Sequence, residues 1–173
     1  PVCLKAGSGP GSTAPRCEVM TQQTQTFTIP GNGPVFINGG SRGYFFSEYT
    51  PDAVRALARN AQTSLTPVER FGLLGDEWWL VRAGRHDLGV FLDVAGSMAS
   101  DPTSAITDQL RQRLSYAGEY LVPAAQQARF QQWVRDRFAP EFEKVGFPGS
   151  ARDGEDRKST RLNSSHVSES RMP

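Results

Sequence analysis

Few side chains in this 173-residue chain have the type and spacing to do chemistry. His86 and His166 are its two histidines, and ahead of residue 156 only His86 is left. Ser-His-Asp or Cys-His catalysis therefore has no second imidazole to draw on. A lone histidine in a loop is expected to be a solvated surface group. Asp76 and Glu77 are adjacent, and neighbours in a helix point apart, so they suit a cap-and-surface role better than a shared acid/base site. Trp78 and Trp79 could floor a groove, but at helical spacing one of them belongs in the core. Arg111, Arg113, Arg129, Arg135 and Arg137 carry the guanidinium geometry that grips a carboxylate with two hydrogen bonds, and the competing expectation is a charged solvent face. Gly39, Gly40 and Gly43 resemble a phosphate cradle only in composition. They fall between two β-prone runs rather than between a strand and a helix whose amides would meet the anion. A tight hairpin turn begun by Asn38-Gly39 fits better.

The elements that must position these groups fall into two halves. From residue 1 to 49, short β-prone runs alternate with turn chemistry: Val2 to Lys5, Cys17 to Met20, Gln22 to Ile29, Val35 to Asn38 and Tyr44 to Tyr49. In Gln22 to Ile29, Thr24, Thr26 and Thr28 alternate with Gln25, Phe27 and Ile29, the period of an antiparallel strand covered on one face. An antiparallel meander is predicted, with one apolar face that a second layer must cover. From residue 50 to 150 the period becomes helical. Thr50-Pro51, Thr66-Pro67 and Asp101-Pro102 each place a capping side chain before a proline at the first helical position, and Glu69 completes a capping box with Thr66. Apolar stripes follow: Val54, Leu57, Ala58 and Ala61; Val68, Phe71, Leu74 and Trp78; Val90, Phe91, Val94 and Met98; Ile106, Leu110, Leu114, Ala117 and Leu121. A last helix over 124–144 carries Phe130, Trp133, Val134 and Phe138, with Pro123 and Pro140 expected at its ends. The fold class is α+β, a partial antiparallel β-sandwich followed by about five helices stacked as a solenoid-like array.

Residues 151–173 are expected to be a disordered tail and to lie outside the fold. Asp156 to His166 back-translates into the constant stem of a short-read sequencing adapter, and Ser170 to Pro173 into the constant segment after its index. Residues 156–173 contribute Arg157, Lys158, Arg161 and Arg171 against Asp156 and Glu169, so leaving them out moves the net charge from +1 to −1. No polyanion-binding bias remains, and nucleic acid is not an expected partner. No run approaches the roughly 18 apolar residues of a membrane span. The N-terminus has neither an initiator Met nor the layout of a signal peptide and reads as a start inside a domain. Cys3 and Cys17 lie in neighbouring extended segments and could pair. Two cysteines are too few to diagnose a disulfide framework, and free thiols are the expectation.

The segment VFINGGSRGYFFSEYTPDAVRAL resembles the junction of zinc aminopeptidases of the aminopeptidase N type, where a β-sandwich module passes into a helical C-terminal domain. Asn38, Gly43, Tyr44, Phe45 and Tyr49 match that pattern, with Gly39 in its turn, while Phe46-Ser47 stands where members often carry Arg-Val. Leu73, Asp76, Leu80 and Gly84 match the next helix, and Pro1 to Lys5 resembles a strand of the β-module. The resemblance spans about residues 1 to 150. It implies a parent enzyme that releases N-terminal amino acids from peptides with a zinc ion held by His-Glu-x-x-His and a later Glu. It also implies a helical domain enclosing the substrate chamber, where one of the five arginines would meet a peptide carboxylate. The chemistry needs two imidazoles one turn apart on a helix face, with the intervening Glu as base. This chain carries neither that motif nor the family's Gly-x-Met-Glu-Asn amine clamp. The expected role is therefore that of a structural and chamber-shaping region, inactive alone and without a cofactor of its own, whose partner is an upstream catalytic domain. The alternative is a free-standing helical module with a small β-cap that binds a peptide or protein.

Overall fold

A computed structural model describes residues 1–6, 14–29 and 33–145. The adapter-like tail, the Gly/Pro/Ser segment 7–13 and the first three residues of the turn Pro30 to Pro34 lie outside the described residues.

Among the described residues three short strands form the β-part: β1 (Val2–Ala6), β2 (Arg16–Glu18) and β3 (Val35–Phe36), antiparallel in the order β2-β1-β3. Cys3 stands opposite Cys17 in the β1–β2 register, and the two sulfurs are joined in a disulfide. The expectation of free thiols is thus corrected: cross-strand neighbours bring their Cβ atoms within bonding reach. Two of the five predicted strands are absent. Gln22 to Ile29 keeps its alternation, Thr24, Thr26 and Thr28 being exposed and Gln25, Phe27 and Ile29 half-buried, yet pairs with no strand among the described residues. Period two reports which face is covered, not whether the backbone has a ladder partner. Tyr44 to Tyr49 likewise forms no strand among the described residues, and the chain bends at Phe45.

The predicted hairpin at Asn38-Gly39 is instead a single 3₁₀ turn, Gly39–Ser41. Ser41 N–H donates to the Asn38 carbonyl at 2.8 Å, and Gly40 sits at φ +71°, the left-handed region that favours glycine. At Gly39 the requirement is space, since a Cβ there would lie 2.5 Å from that of Pro15.

The six described α-helices are α1 (Pro51–Arg59), α2 (Ala61–Ser64), α3 (Pro67–Arg82), α4 (Leu88–Ser97), α5 (Ser104–Tyr116) and α6 (Gln127–Val145). Two of the three predicted caps hold. Thr50 Oγ1 accepts from Ala53 N–H, and Thr66 and Glu69 form a complete capping box. Asp101 does not cap: α5 starts at Ser104 with Thr103 in the cap position, and Asp101 is drawn inward to Arg70. Helix α1 packs on α4, α4 on α3 and α3 on α5. Val54, Leu57, Leu74, Phe91, Val94, Met98, Ile106 and Leu110 meet in one core. Trp78 is buried against Phe91 and edge-on to Tyr116 at centroid distances of 5.0 and 5.7 Å, whereas Trp79 is half exposed.

The α3 stripe differs from expectation. Val68 and Phe71 are exposed, and the covered face holds Glu69, Arg70, Leu73, Leu74, Glu77 and Trp78. Charged groups with partners occupy positions that a count of apolar residues assigns to solvent. Leu121, at the end of the α5 stripe, is also exposed. After α5 the chain continues as a π-turn, Ala117–Leu121, breaks at Pro123 as predicted, and resumes through a 3₁₀ turn into α6. Pro140 lies inside α6 rather than at its end. Proline there has no N–H to give the Asp136 carbonyl, and Asp136 is on the exposed side of the helix.

Candidate functional site

The junction between β-part and helices is built around Glu69. Position N3 of α3 points this carboxylate back over the helix start, where Thr66 N–H donates to Oε2 at 2.8 Å. Lys5 of β1 donates to the same oxygen at 2.8 Å, and Gly40 N–H to Oε1 at 2.8 Å. One buried carboxylate thus ties sheet, 3₁₀ turn and helix together. Burial pushes the Glu69 carboxyl up, but the three donors and the Lys5 charge outweigh it, and the net shift is downward. Asn38 clasps the turn with its side-chain amide, donating to the Gly43 carbonyl at 3.0 Å and accepting from Gly43 N–H at 2.8 Å. The Tyr49 hydroxyl accepts from Ile37 N–H at 2.8 Å, and burial above all pushes this phenol up to about 12. Asp76 accepts from Ser47 N–H at 2.9 Å. Tyr44 alone of the predicted junction residues is fully exposed.

Asp76 and Glu77 are therefore not a cap-and-surface pair. Glu77 is buried, with both oxygens 2.9–3.0 Å from His86 Nδ1, and burial pushes its carboxyl up against the pull of that histidine. His86 is correspondingly not a solvated loop residue; its side chain is 6% exposed. Gly84, at φ +69°, reverses the chain after α3, Arg85 N–H returns to the Leu80 carbonyl, and His86 folds back over Glu77. The helix-ending glycine two residues before His86 was the signal available in the sequence.

The five arginines separate. Arg113 donates to the Leu74 carbonyl at 2.6 Å, and burial pulls its guanidinium down to about 10 while Asp76 acts in the other direction. It joins α5 to α3. Arg137 stacks over Trp133 at 5.7 Å. Arg129 is exposed and distant in role from either contact. Arg111 and Arg135 face each other's helices along a groove of about 920 Å³ between α5 and α6, walled by Leu110, Leu114, Phe130 and Phe138. Arg111 has a loose partner in Asp108 at 4.0 Å, and Arg135 donates to Gln132 at 3.0 Å. An apolar trough with guanidinium groups on its rim can seat an extended peptide and hold a carboxylate.

Residues 34–170 match the family described as ERAP1-like C-terminal domain. The chain belongs to this family. The ERAP1-like match starts just before β3 and runs into the adapter-like segment, so β1 and β2 stand ahead of it, held on by Lys5 and Glu69. A puromycin-sensitive aminopeptidase of Caenorhabditis elegans is 29% identical over 172 residues, which cover 95% of this chain and 18% of that protein. This ERAP1-like chain thus spans less than a fifth of that relative's length. No solved structure matches it. Among the described residues no group of three or more His, Cys, Asp or Glu side chains is placed to hold a metal ion, so the zinc of the aminopeptidase resemblance has no fitting donor set there. No helix among them is long and apolar enough to cross a membrane.

Proposed function

We propose that the chain is the non-catalytic structural and substrate-chamber region of a zinc-dependent aminopeptidase that releases N-terminal amino acids from peptides. In this reading β1–β3 close a β-sandwich and α1–α6 begin a solenoid-like helical array. The zinc and the bond-breaking groups belong to an upstream catalytic domain. Supporting it are the family membership and the puromycin-sensitive aminopeptidase likeness. The observation that carries it is the Lys5–Glu69–Gly40 node, which fixes strands lying before the family domain rigidly onto that domain's first long helix. A joint of this kind transmits position between modules. The α5–α6 groove contributes the chamber wall, with Arg111 and Arg135 as the contacts for a peptide's C-terminal carboxylate; Arg113 and Arg137 are engaged elsewhere.

Fluorescence anisotropy with a labelled peptide, free or amidated at its C-terminus, tests the groove. Charge-assisted hydrogen bonds contribute about 1.5–3 kcal/mol, so amidation or the Arg111→Ala/Arg135→Ala pair should each weaken binding roughly tenfold or more. Equal binding of both peptides would remove the carboxylate role. The purified chain should also release no amino acid from aminoacyl-anilides. Turnover abolished by a strong chelator would overturn the non-catalytic assignment.

A further inference from the structure

The Cys3–Cys17 disulfide has two unequal ends. Cys3 is wholly buried on β1, whereas Cys17 is exposed on β2. A disulfide opens when a thiolate attacks one of its sulfurs, and exposed disulfides are the labile ones. Cys17 is the end open to attack. The Arg42 guanidinium stands beside the same sulfur at the surface, with Nη1 4.0 Å from Cys17 Sγ. A neighbouring guanidinium favours thiolate over thiol, so in the opened pair Cys17 is the nucleophile and Cys3 its buried resolving partner. The 3₁₀ turn places Arg42 there: a Cβ at Gly40 would lie 3.4 Å from its Nε, and Gly43 after it is held by the Asn38 clasp. The bond is also the chief tie on β2. That strand has three residues, its Arg16–Glu18 ion pair is internal, and outside its ladder with β1 the contact is that of Pro15 on Gly39. By contrast, β1 is held independently, by its ladder with β3 and by Lys5 on Glu69.

We infer that Cys3–Cys17 is a reversible thiol–disulfide switch, opened at Cys17 by dithiols and closed by peroxide, which frees or fastens β2 while β1 and the helices stay folded. It is a property of this chain and stands apart from the proposed peptidase role. In opening, one thiolate of the dithiol attacks Cys17 Sγ, and the electron pair of the S–S bond leaves on the Cys3 sulfur, which takes up a proton. The reagent's second thiol then displaces the Cys17 sulfur as a thiolate facing Arg42, and the reagent departs as its own disulfide. The dithiol is oxidised by two electrons and the protein disulfide reduced by two. In closing, the Cys17 thiolate attacks hydrogen peroxide, giving a sulfenic acid and hydroxide. The Cys3 thiol then attacks the Cys17 sulfur, the S–S bond forms, and the sulfenic oxygen leaves as water.

The test incubates the purified chain with dithiothreitol without denaturant, counting free thiols by maleimide labelling and following the core by tryptophan fluorescence. Both thiols should appear at a rate proportional to dithiothreitol, with the fluorescence unchanged. Amide exchange at Arg16–Glu18 should then quicken roughly tenfold or more while that of α3 stays as it was. In the reduced chain, iodoacetamide should label Cys17 before Cys3, with a pH midpoint below the ordinary thiol value of about 8.5, and Arg42→Ala should raise that midpoint. Peroxide followed by dimedone should label Cys17 in Cys3→Ser and leave Cys3 unlabelled in Cys17→Ser. A bond that opens only as the fluorescence reports unfolding is a purely structural clip and overturns the inference. So does unchanged exchange in β2 after reduction, labelling of Cys3 ahead of Cys17, or a Cys17 midpoint that Arg42→Ala does not move.

Discussion

Removing the Glu69 carboxylate should destabilise the chain more than removing its cationic partner. In Glu69→Ala, the Lys5 ammonium, its side chain 10% exposed, loses its counter-charge, and the Gly40 and Thr66 N–H groups lose their acceptor. Breaking a buried pair from one side costs about 3–5 kcal/mol, a large share of the ~5–15 kcal/mol that stabilises a domain. In Lys5→Met the stem is replaced by a side chain of similar length. Glu69 keeps two backbone donors and the favourable field of a helix N-terminus, so the expected cost is about 1–2 kcal/mol. Glu69→Gln falls between. Gly40 bonds Oε1 while Lys5 and Thr66 bond Oε2, so either orientation of the amide sets its NH₂ against at least one donor. Urea unfolding followed by tryptophan fluorescence measures this, with Trp78 reporting from the core. At roughly 2 kcal/mol per molar urea, Glu69→Ala should lower the midpoint by about 2 M and Lys5→Met by about 0.5–1 M. A Glu69→Ala cost below about 1 kcal/mol, as for an exposed helix cap, would refute the node, and so would a larger loss in Lys5→Met than in Glu69→Ala.

Arg70 grips Asp101 through two nitrogens at 2.6 and 3.2 Å, so Arg70→Met, which strands a fully buried carboxylate, should cost about 3–5 kcal/mol in the same assay. Burial raises the Asp101 carboxyl, but Arg70 and Thr103 outweigh that and the net shift is downward. Its contribution is therefore complete above the ordinary Asp range and is lost as the pH falls through the lower folded value, and stability measured from pH 6 to pH 2 should fall less steeply in Asp101→Asn than in wild type. The Cys3–Cys17 bond closes a loop of about 15 residues, and its reduction should cost about 3 kcal/mol, or roughly 6–12 °C in melting temperature. Deleting residues 156–173 should leave the melting temperature unchanged; a loss of several degrees would contradict the adapter reading.

What the sequence disclosed was local. Thr50 and Thr66 cap their helices because a side chain three residues from its acceptor needs no tertiary information. The apolar stripes of α1, α4 and α5 are buried almost as written because each has one covered face. The missing information was non-local: Lys5 and Glu69 are 64 positions apart, Arg70 and Asp101 31 apart, and no period relates them. His86 departs from the solvated loop expectation for the same reason, since only the reversal at Gly84 brings it onto Glu77. In the β-part three of the five predicted strands pair antiparallel as the meander requires, while Gln22 to Ile29 and Tyr44 to Tyr49 form no strand, because a ladder needs a neighbour that alternation does not specify.

Helix α3 shows why a stripe can mislead and still be informative. Its amphipathic reading counted Val68 and Phe71 toward the core, yet both face solvent while Glu69, Arg70 and Glu77 are covered. A helix that buries charged residues on one side and exposes aromatics on the other contradicts the single-layer rule, under which polar residues face water. The inversion holds because each buried charge is satisfied: Glu69 by Lys5 and two amides, Arg70 by Asp101 and the Leu65 carbonyl, Glu77 by His86. The exposed aromatic side has no such compensation among the described residues, and hydration of its apolar surface is unfavourable at roughly 25 cal/mol per Å². A helix apolar on both flanks is suited to packing between two layers, and the described residues supply only one of them. Val68, Phe71 and Trp79 thus form the uncovered side of α3 among the described residues, opposite the side on which Glu69, Arg70 and Glu77 are held by their partners.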